Sequence, residues 1–204
     1  PTKAQIEDIK QKLIKEFSDV FDNDSQLKEM DYPPMKIHLK PDAKPFSVRA
    51  PRQICHSWFD KTKDKVMKLE ATGILLPVHE PTEWCHPMVV VPKPNGDVRI
   101  TTDLTKLNKY VARPLHPLTT PKEAVSRIPN NAKYFTSLDA QNGYWQLKLD
   151  EESRKMTTFI TPWGRYMYAR APMGLVSTGD EFCKAGDLAF EGIENFSKVV
   201  DDVL

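Results

Sequence analysis

The sequence predicts an α+β protein whose strands run antiparallel, and three patterns predict it. Residues 4–17 (AQIEDIKQKLIKEF) have a helical stripe of Ile6, Ile9, Leu13, Ile14 and Phe17. MVVVPK (88–93) and DVRITT (97–102) flank Pro94-Asn95-Gly96, and Asn-Gly between β-branched runs signals a hairpin. From residue 133 onward, short β-branched and aromatic runs alternate with turn residues before a last helical segment.

Taken in order, Thr2 and Gln5 resemble a capping box that opens the first helix. A loop rich in acid and proline follows (SDVFDNDSQLKEMDYPP), then an extended piece, MKIHLKPDAKPFSVRAPRQ. Prolines 33, 34, 41, 45 and 51 make this an arm lying along a surface rather than a helix. A second helix is expected from about Ser57, with Asp60 three residues on, to a stop at Gly73. Thr120-Pro121-Lys122-Glu123 opens another helix, with a cap, a first-turn proline and an acid at the third position. Strands are expected at 133–139, 144–150, 157–161 and 165–171, a helix from Thr178 to about Phe190 capped by Thr178 with Glu181, and a strand at 197–200.

The 204 residues are 40% hydrophobic and 28% charged, ordinary for a globular chain. No stretch approaches the roughly 18 apolar residues of a membrane span, and the first residues lack the apolar core of a signal peptide, so no membrane is expected among the partners. Three scattered cysteines (Cys55, Cys85, Cys183) argue against a disulfide framework and for a reducing compartment. Cys55-His56 and Cys85-His86 invite a zinc reading, but adjacent ligands have poor geometry for zinc, and ordinary thiols are expected. Charge is uneven: 5 basic and 8 acidic side chains in 1–31, 17 and 9 in 32–135, 7 and 11 in 136–204. A basic middle beside an acidic end suits a protein that holds a polyanion in one part and metal in another.

Two acidic sites carry the chemistry. Asp139 ends the strand KYFTSLD, and Asp201-Asp202 ends SKVV. A carboxylate at a strand end is held rigidly with its head projecting, which suits a hard cation such as Mg²⁺ shared with substrate phosphates. Two such ions can activate a hydroxyl and steady a leaving oxygen, and they would offset the repulsion among clustered carboxylates. From spacing alone a second reading stands beside this one: Asp139 begins a turn, and Asp201-Asp202 fill a hairpin loop.

The run LDAQNGYWQLKLDEESRKMTTFITPWGRYMYARAPMGL resembles the palm of gypsy-class retroelement reverse transcriptases, and VVVPKPNGDVRITTDLTKLNKYVARPLHPL resembles their fingers. The resemblance covers about residues 33–204. It implies a right-hand polymerase fold in which an antiparallel palm sheet packs on helices. It implies an N-terminal helix and acidic linker (1–32), a fingers region with extended arm (33–132) and a palm (133–204) cut just after the acidic box, without a thumb or the return strand of the acidic hairpin.

The resemblance implies roles residue by residue. Asp139, Asp201 and Asp202 match the metal-binding aspartates, with Asp201 the firmer ligand. Ala140 matches the position whose main-chain amide lies near the incoming triphosphate, and it counts among the metal-site residues. Arg99 and Lys93 match the basic fingers residues that close on the triphosphate. Tyr144 matches the aromatic that excludes a ribose 2′-hydroxyl, although it could also be a core tyrosine beside Trp145, the two on opposite strand faces. Met173 and Gly174 match the nucleotide-binding turn. Val199 departs from the pattern, standing where the family's acidic box usually has tyrosine; Thr105 and Met173 also depart from the commonest residues.

The function implied is RNA-directed DNA polymerisation, a nucleotidyl transfer to a primer 3′-hydroxyl with two Mg²⁺ ions, or Mn²⁺ in their place. The implied partners are an RNA or DNA template with primer, deoxynucleoside triphosphates, and the rest of a polyprotein (thumb, RNase H, integrase), in a cytoplasmic particle. The alternative is a decayed or domesticated remnant that binds nucleic acid or a partner without polymerising.

Overall fold

The computed structural model describes residues 1–21 and 27–204, so part of the predicted acidic loop lies outside the described residues. Helix α1 (Lys3–Glu16) opens on the expected capping box: the Gln5 amide donates to Thr2 Oγ1 at 3.3 Å, and the Thr2 amide donates to Gln5 Oε1 at 2.8 Å. Its apolar stripe is real, but no α1 residue is buried, and Ile9 is 50% exposed. A four-residue helix, α2 (Ser18–Phe21), replaces the start of the predicted loop.

The proline-rich arm is extended, as its composition requires, and it inserts Met35 and Ile37 into the core. Met35 pairs with Leu149, and Leu39 pairs with Val111. The arm thus ties the chain around Lys148 to the chain around Val111, with the Met35 amide on Lys148 O at 2.8 Å and the Ala112 amide on His38 O at 2.7 Å.

Helix α3 (His56–Ala71) starts one residue before the predicted Ser57, at an N-cap Cys55 that makes no side-chain cap bond, so the expected Ser57/Asp60 start is not used. Its end is the predicted one. Gly73 takes φ +69°, the Ile74 amide donates to Leu69 O at 3.0 Å, and the Gly73 amide donates to Glu70 O at 2.9 Å. That is a Schellman motif, with buried Leu69 and Ile74 as its apolar partners.

β1 (Leu75–Pro77), β2 (His86–Pro92) and β3 (Val98–Thr102) follow, then a short α4 (Thr105–Asn108) and α5 (Pro121–Ser126). The β2–β3 hairpin closes at Gly96 (φ +77°), in register Val91↔Arg99. α5 has the predicted capping box between Thr120 and Glu123, with Pro121 at its first turn.

The palm segment departs most from the pattern read in the sequence. Of residues 133–139 only Leu138–Asp139 forms a strand (β4); Tyr134 and Phe135 stay 57% and 60% exposed, because no described strand lies beside them. Residues 143–146 form a 3₁₀ turn rather than a strand. The cause is local: Asn142 takes φ +51°, and Gly143 is pressed so close to α7 (Thr178–Ala189) that an added Cβ would lie 2.6 Å from Phe182 Cζ. The chain must turn there. α6 (Glu151–Met156) was not expected, although Asp150 accepts the Ser153 amide at its start.

β5 (Phe159–Thr161) and β6 (Gly164–Tyr168) complete a five-stranded sheet of order β1-β6-β5-β2-β3. One pair, β2 with β5, is parallel, which corrects the all-antiparallel expectation. The long connection between the two strands permits it. This sheet takes strands from both sides of the boundary predicted at residue 132. α7 begins with Thr178 as its first helical residue, not its cap, and the Thr178 hydroxyl donates to Pro172 O at 3.1 Å.

The core is anchored by Phe159, Leu75, Leu104, Leu107, Leu147 and Leu149, all essentially inaccessible. His86 is buried with them, its Nε2 donating to Met156 O at 3.1 Å while Nδ1 has no partner. Burial holds its pKa below the ordinary 6.5. The unfolded chain therefore takes up a proton first, and stability is full above 6.5 and falls as pH drops through the lower folded value. The expected slope in thermal melts is at most about 1.4 kcal/mol per pH unit, and His86→Gln should flatten it. The same slope in the variant contradicts this assignment.

Candidate active site

A second, three-stranded sheet has the order β4-β8-β7, where β7 is Lys198–Val199 and β8 is Asp202–Val203. The return strand of the acidic hairpin therefore begins within this chain, contrary to expectation. Two residues suffice for it, because β8 pairs with β7 on one side and β4 on the other. Val200 and Asp201 form the turn, and Val200 adopts φ +57°. A β-branched residue there is strained by about 1–3 kcal/mol. Val199, in the place of the family's tyrosine, keeps its ladder pairing to Asp202.

The register places Asp202 directly opposite Asp139. The Ala140 amide donates to Asp201 O at 3.0 Å, the bond that flanks a non-hydrogen-bonded antiparallel pair. In such a pair the Cα atoms approach to about 4.5 Å and both side chains leave on one face. The opposed carboxylates are thus Asp139 and Asp202, with Asp201 at the adjoining turn. The Ala140 amide is occupied by that bond, so it is not available to a triphosphate. The Ala140 carbonyl accepts from Gly143 and retains a second lone pair. Among the described residues no three His, Cys, Asp or Glu side chains converge to hold a cation by themselves. Cys55 is exposed and Cys85 buried, and neither is in a disulfide.

Tyr144 lies in the 3₁₀ turn, not on a strand, so strand alternation with Trp145 does not apply. Its ring meets Phe182 edge-on with centroids 5.4 Å apart. Burial first, and the nearby Asp201 carboxylate second, raise its phenol pKa, so the hydroxyl stays protonated beside the acidic turn. Tyr144 is thus half-buried, packed on the edge of the core with its phenol in the field of the Asp201 carboxylate.

Lys93 and Arg99 sit on the β2–β3 hairpin. Arg99 is on its exposed face, opposite the half-exposed Val91, while Val98 and Ile100 are buried on the other face. From α3, Lys61 Nζ donates to Gly96 O at 2.7 Å, and Lys65 lies 3.7 Å from Asp97, bracing the tip.

Met173 is 38% exposed and Gly174 takes φ +88°. Asn108, missed by the sequence reading, secures this turn on both sides: its Nδ2 donates to Gly174 O at 2.7 Å, and its Oδ1 accepts the Val176 amide at 3.0 Å. The signal was the asparagine closing DLTKLN, but its partner is 66 residues away.

α7 supports the site from behind. Asp180, essentially buried, is gripped by Arg113 at 2.5 and 3.3 Å. Glu181 accepts from Tyr32 at 3.2 Å. Asp187 receives His116 at 2.7 Å and Lys198 at 3.1 Å. One cavity of about 470 Å³ is lined by Arg127, Tyr134, Phe135, Phe196, Ser197 and Leu204 among others, and by none of the three aspartates. Asp139, Asp201 and Asp202 are all exposed.

The fold is that of reverse-transcriptase fingers and palm. The foamy viral protease–reverse transcriptase solved in complex with an RNA/DNA hybrid superposes with a TM-score of 0.83 at 19% identity, over 100% of this chain and 27% of that one. The sequence model described as "Reverse transcriptase (RNA-dependent DNA polymerase)" matches residues 91–200, and the chain belongs to that family. The Pol polyprotein of Drosophila melanogaster transposon 412 is 30% identical over 201 residues, covering 94% of this chain and 15% of the polyprotein. That of transposon gypsy, from the same organism, is 31% identical over 153 residues, covering 71% and 14%. The gypsy-class resemblance is borne out, and the chain spans about a seventh of these relatives' length.

Proposed function

We propose that the chain supplies the fingers (33–132) and palm (133–204) of an RNA-directed DNA polymerase, in which Asp139, Asp201 and Asp202 carry nucleotidyl transfer to a primer 3′-hydroxyl. The observation that carries this reading is the register that sets Asp202 against Asp139 with Asp201 at the turn beside them. The donor set fits Mg²⁺: it is all hard oxygen, and that ion is usually held by one or two carboxylates plus substrate phosphates rather than by an all-protein cage. Asp139, Asp202 and Asp201, with the Ala140 carbonyl, would hold it. When bound, a pair of such ions supplies hydroxyl activation and leaving-group stabilisation, with Mn²⁺ able to serve in their place.

The chain's own residues would do the rest. Tyr144 would lie under the sugar and exclude a 2′-hydroxyl. Arg99 and Lys93 would offset charge on the transferred phosphoryl group. Asn108 would hold the Met173–Gly174 turn for the nucleotide. Residues 32–135, with 17 basic against 9 acidic side chains, suit a template-primer duplex, the kind of ligand present in the foamy viral complex. The wider polyprotein would add thumb, RNase H and integrase.

The test is template-directed primer extension by the full-length parent protein with deoxynucleotides and Mg²⁺ or Mn²⁺. Extension dependent on template and metal is expected. Duplex binding without extension under either ion would favour the non-polymerising remnant.

A further inference from the structure

Three carboxylates act together only if the hairpin that carries two of them is fixed against β4. β7 and β8 are two residues each, and β4 is two residues. One turn residue, Val200, is strained. Ser197 and Leu204 exchange backbone hydrogen bonds at the hairpin base and Phe196 packs on Phe190; the buried polar anchor is Lys198, three residues before Asp201. Its side chain is only 7% exposed, beneath α7. Its ammonium lies 3.1 Å from Asp187 Oδ1 and donates to Cys183 O at 3.1 Å. Its methylenes fill the space above Gly186, where an added Cβ would meet Lys198 Cε at 3.0 Å. Asp187 is shared, its other oxygen meeting His116 Nε2 at 2.7 Å.

We propose that Lys198 is a positioning residue of the acidic centre: locked to Asp187 and the Cys183 carbonyl of α7, it fixes β7, and through the β7–β8–β4 ladder it sets Asp202 against Asp139. This rests on reading those aspartates as the metal-binding centre. The geometry explains why a lysine occupies a buried strand position. An ammonium with a carboxylate, a carbonyl and a glycine-sized slot has one seat, whereas an apolar side chain there could slide along the helix. Gly186 belongs to the same device, because an added Cβ there would push the end of the Lys198 side chain from its seat by a few tenths of an ångström.

The two partners of the ion pair are not equivalent. Asp187 is half-exposed and also held by His116, so removing Lys198 strands no charge. Removing the Asp187 charge leaves a buried ammonium without an anion, the costlier error. Asp187→Asn should therefore lower the melting temperature more than Lys198→Met, although both should loosen the hairpin.

The test uses the full-length parent protein and two readouts that need no catalysis. The first is hydrogen exchange of the Ala140 amide without metal, since that amide is bonded to Asp201 O and reports hairpin docking. The second is Mn²⁺ affinity by electron paramagnetic resonance. Lys198→Met and Asp187→Asn should each speed Ala140 exchange about ten- to a hundred-fold, the scale set by a hydrogen bond to a charged group. Each should weaken Mn²⁺ binding by about tenfold. The double variant should add little to either single change. Tyr32→Phe, which removes another contact to α7, serves as the control: it should change stability without changing Ala140 exchange or Mn²⁺ affinity. Ala140 protection kept in both variants overturns the proposal, and so does faster exchange with unchanged Mn²⁺ affinity. A wild-type parent that extends no primer fails the polymerase reading instead, and both readouts still decide the role of Lys198.

Discussion

Asp139→Asn in the full-length parent protein is expected to slow single-turnover nucleotide addition by about 10²–10⁴-fold while leaving primer–template affinity near wild type. The substitution keeps the shape and removes the charge that would hold a cation. Metal stabilisation of a transferring phosphoryl group is worth several kcal/mol, and each 1.36 kcal/mol is about tenfold in rate. Affinity should hold because duplex contacts are assigned to the basic side chains of 32–135 rather than to this carboxylate. The variant has a second signature. Asp139 and Asp202 face each other in a closely spaced pair, and like charges there destabilise the ladder by about 0.2–1 kcal/mol. Asp139→Asn and Asp202→Asn should both raise the melting temperature of the metal-free protein as activity collapses. Rapid-quench kinetics and thermal melts measure the two. A variant that loses stability and rate together would make Asp139 a structural turn residue.

If the full-length parent protein polymerises as proposed, Tyr144→Ala or Tyr144→Val should let it incorporate ribonucleotides far more readily, with a smaller effect on deoxynucleotides. The ring is braced edge-on against Phe182, so it occupies a defined space instead of sweeping freely. An extra sugar oxygen would have to enter that space. Discrimination is a difference between transition-state energies, and a steric clash of about 3 kcal/mol corresponds to about a hundredfold. The same geometry sets a stability cost: losing the edge-on aromatic pair removes about 0.5–1.5 kcal/mol beyond the buried area. Some loss of melting temperature is therefore expected, but not loss of fold, because Tyr144 is only half-buried. The ratio of ribo- to deoxynucleotide incorporation, measured beside the melting temperature, separates specificity from packing. An unchanged ratio in a folded, active variant means that the ring does not meet the sugar.

What the sequence shows well is what neighbouring residues decide. Thr2 with Gln5, Thr120 with Glu123, Gly73 and the Pro94-Asn95-Gly96 hairpin each act within a few residues, and each forms as read. α6 had the same kind of signal, an Asp150 cap with Glu151 and Glu152 in the first turn, and was overlooked. The palm strands fail for a different reason. KYFTS has strand chemistry but no described partner, and YWQ turns because Gly143 lies against Phe182, a contact no local pattern reveals. The candidate site divides the same way. The three aspartates stand out as acids at the ends of apolar runs, but which one faces Asp139 depends on register, and the register selects Asp202. Asn108 and Asp187 meet partners 66 and 71 residues away, and Lys198 reaches Asp187 and Cys183 only through the packing of β7 on α7, which no local pattern reveals.

The most direct measurement is the anomalous signal of Mn²⁺ in crystals of the full-length parent protein with primer–template and an incoming deoxynucleotide. An ion bonded to the Asp139 carboxylate and to at least one of Asp201 and Asp202 is expected, with oxygens at about 2.1–2.2 Å, as for a small hard cation. A nucleotide-bound complex whose ion lies away from Asp139, or which has no ion between β4 and the acidic hairpin, would contradict it.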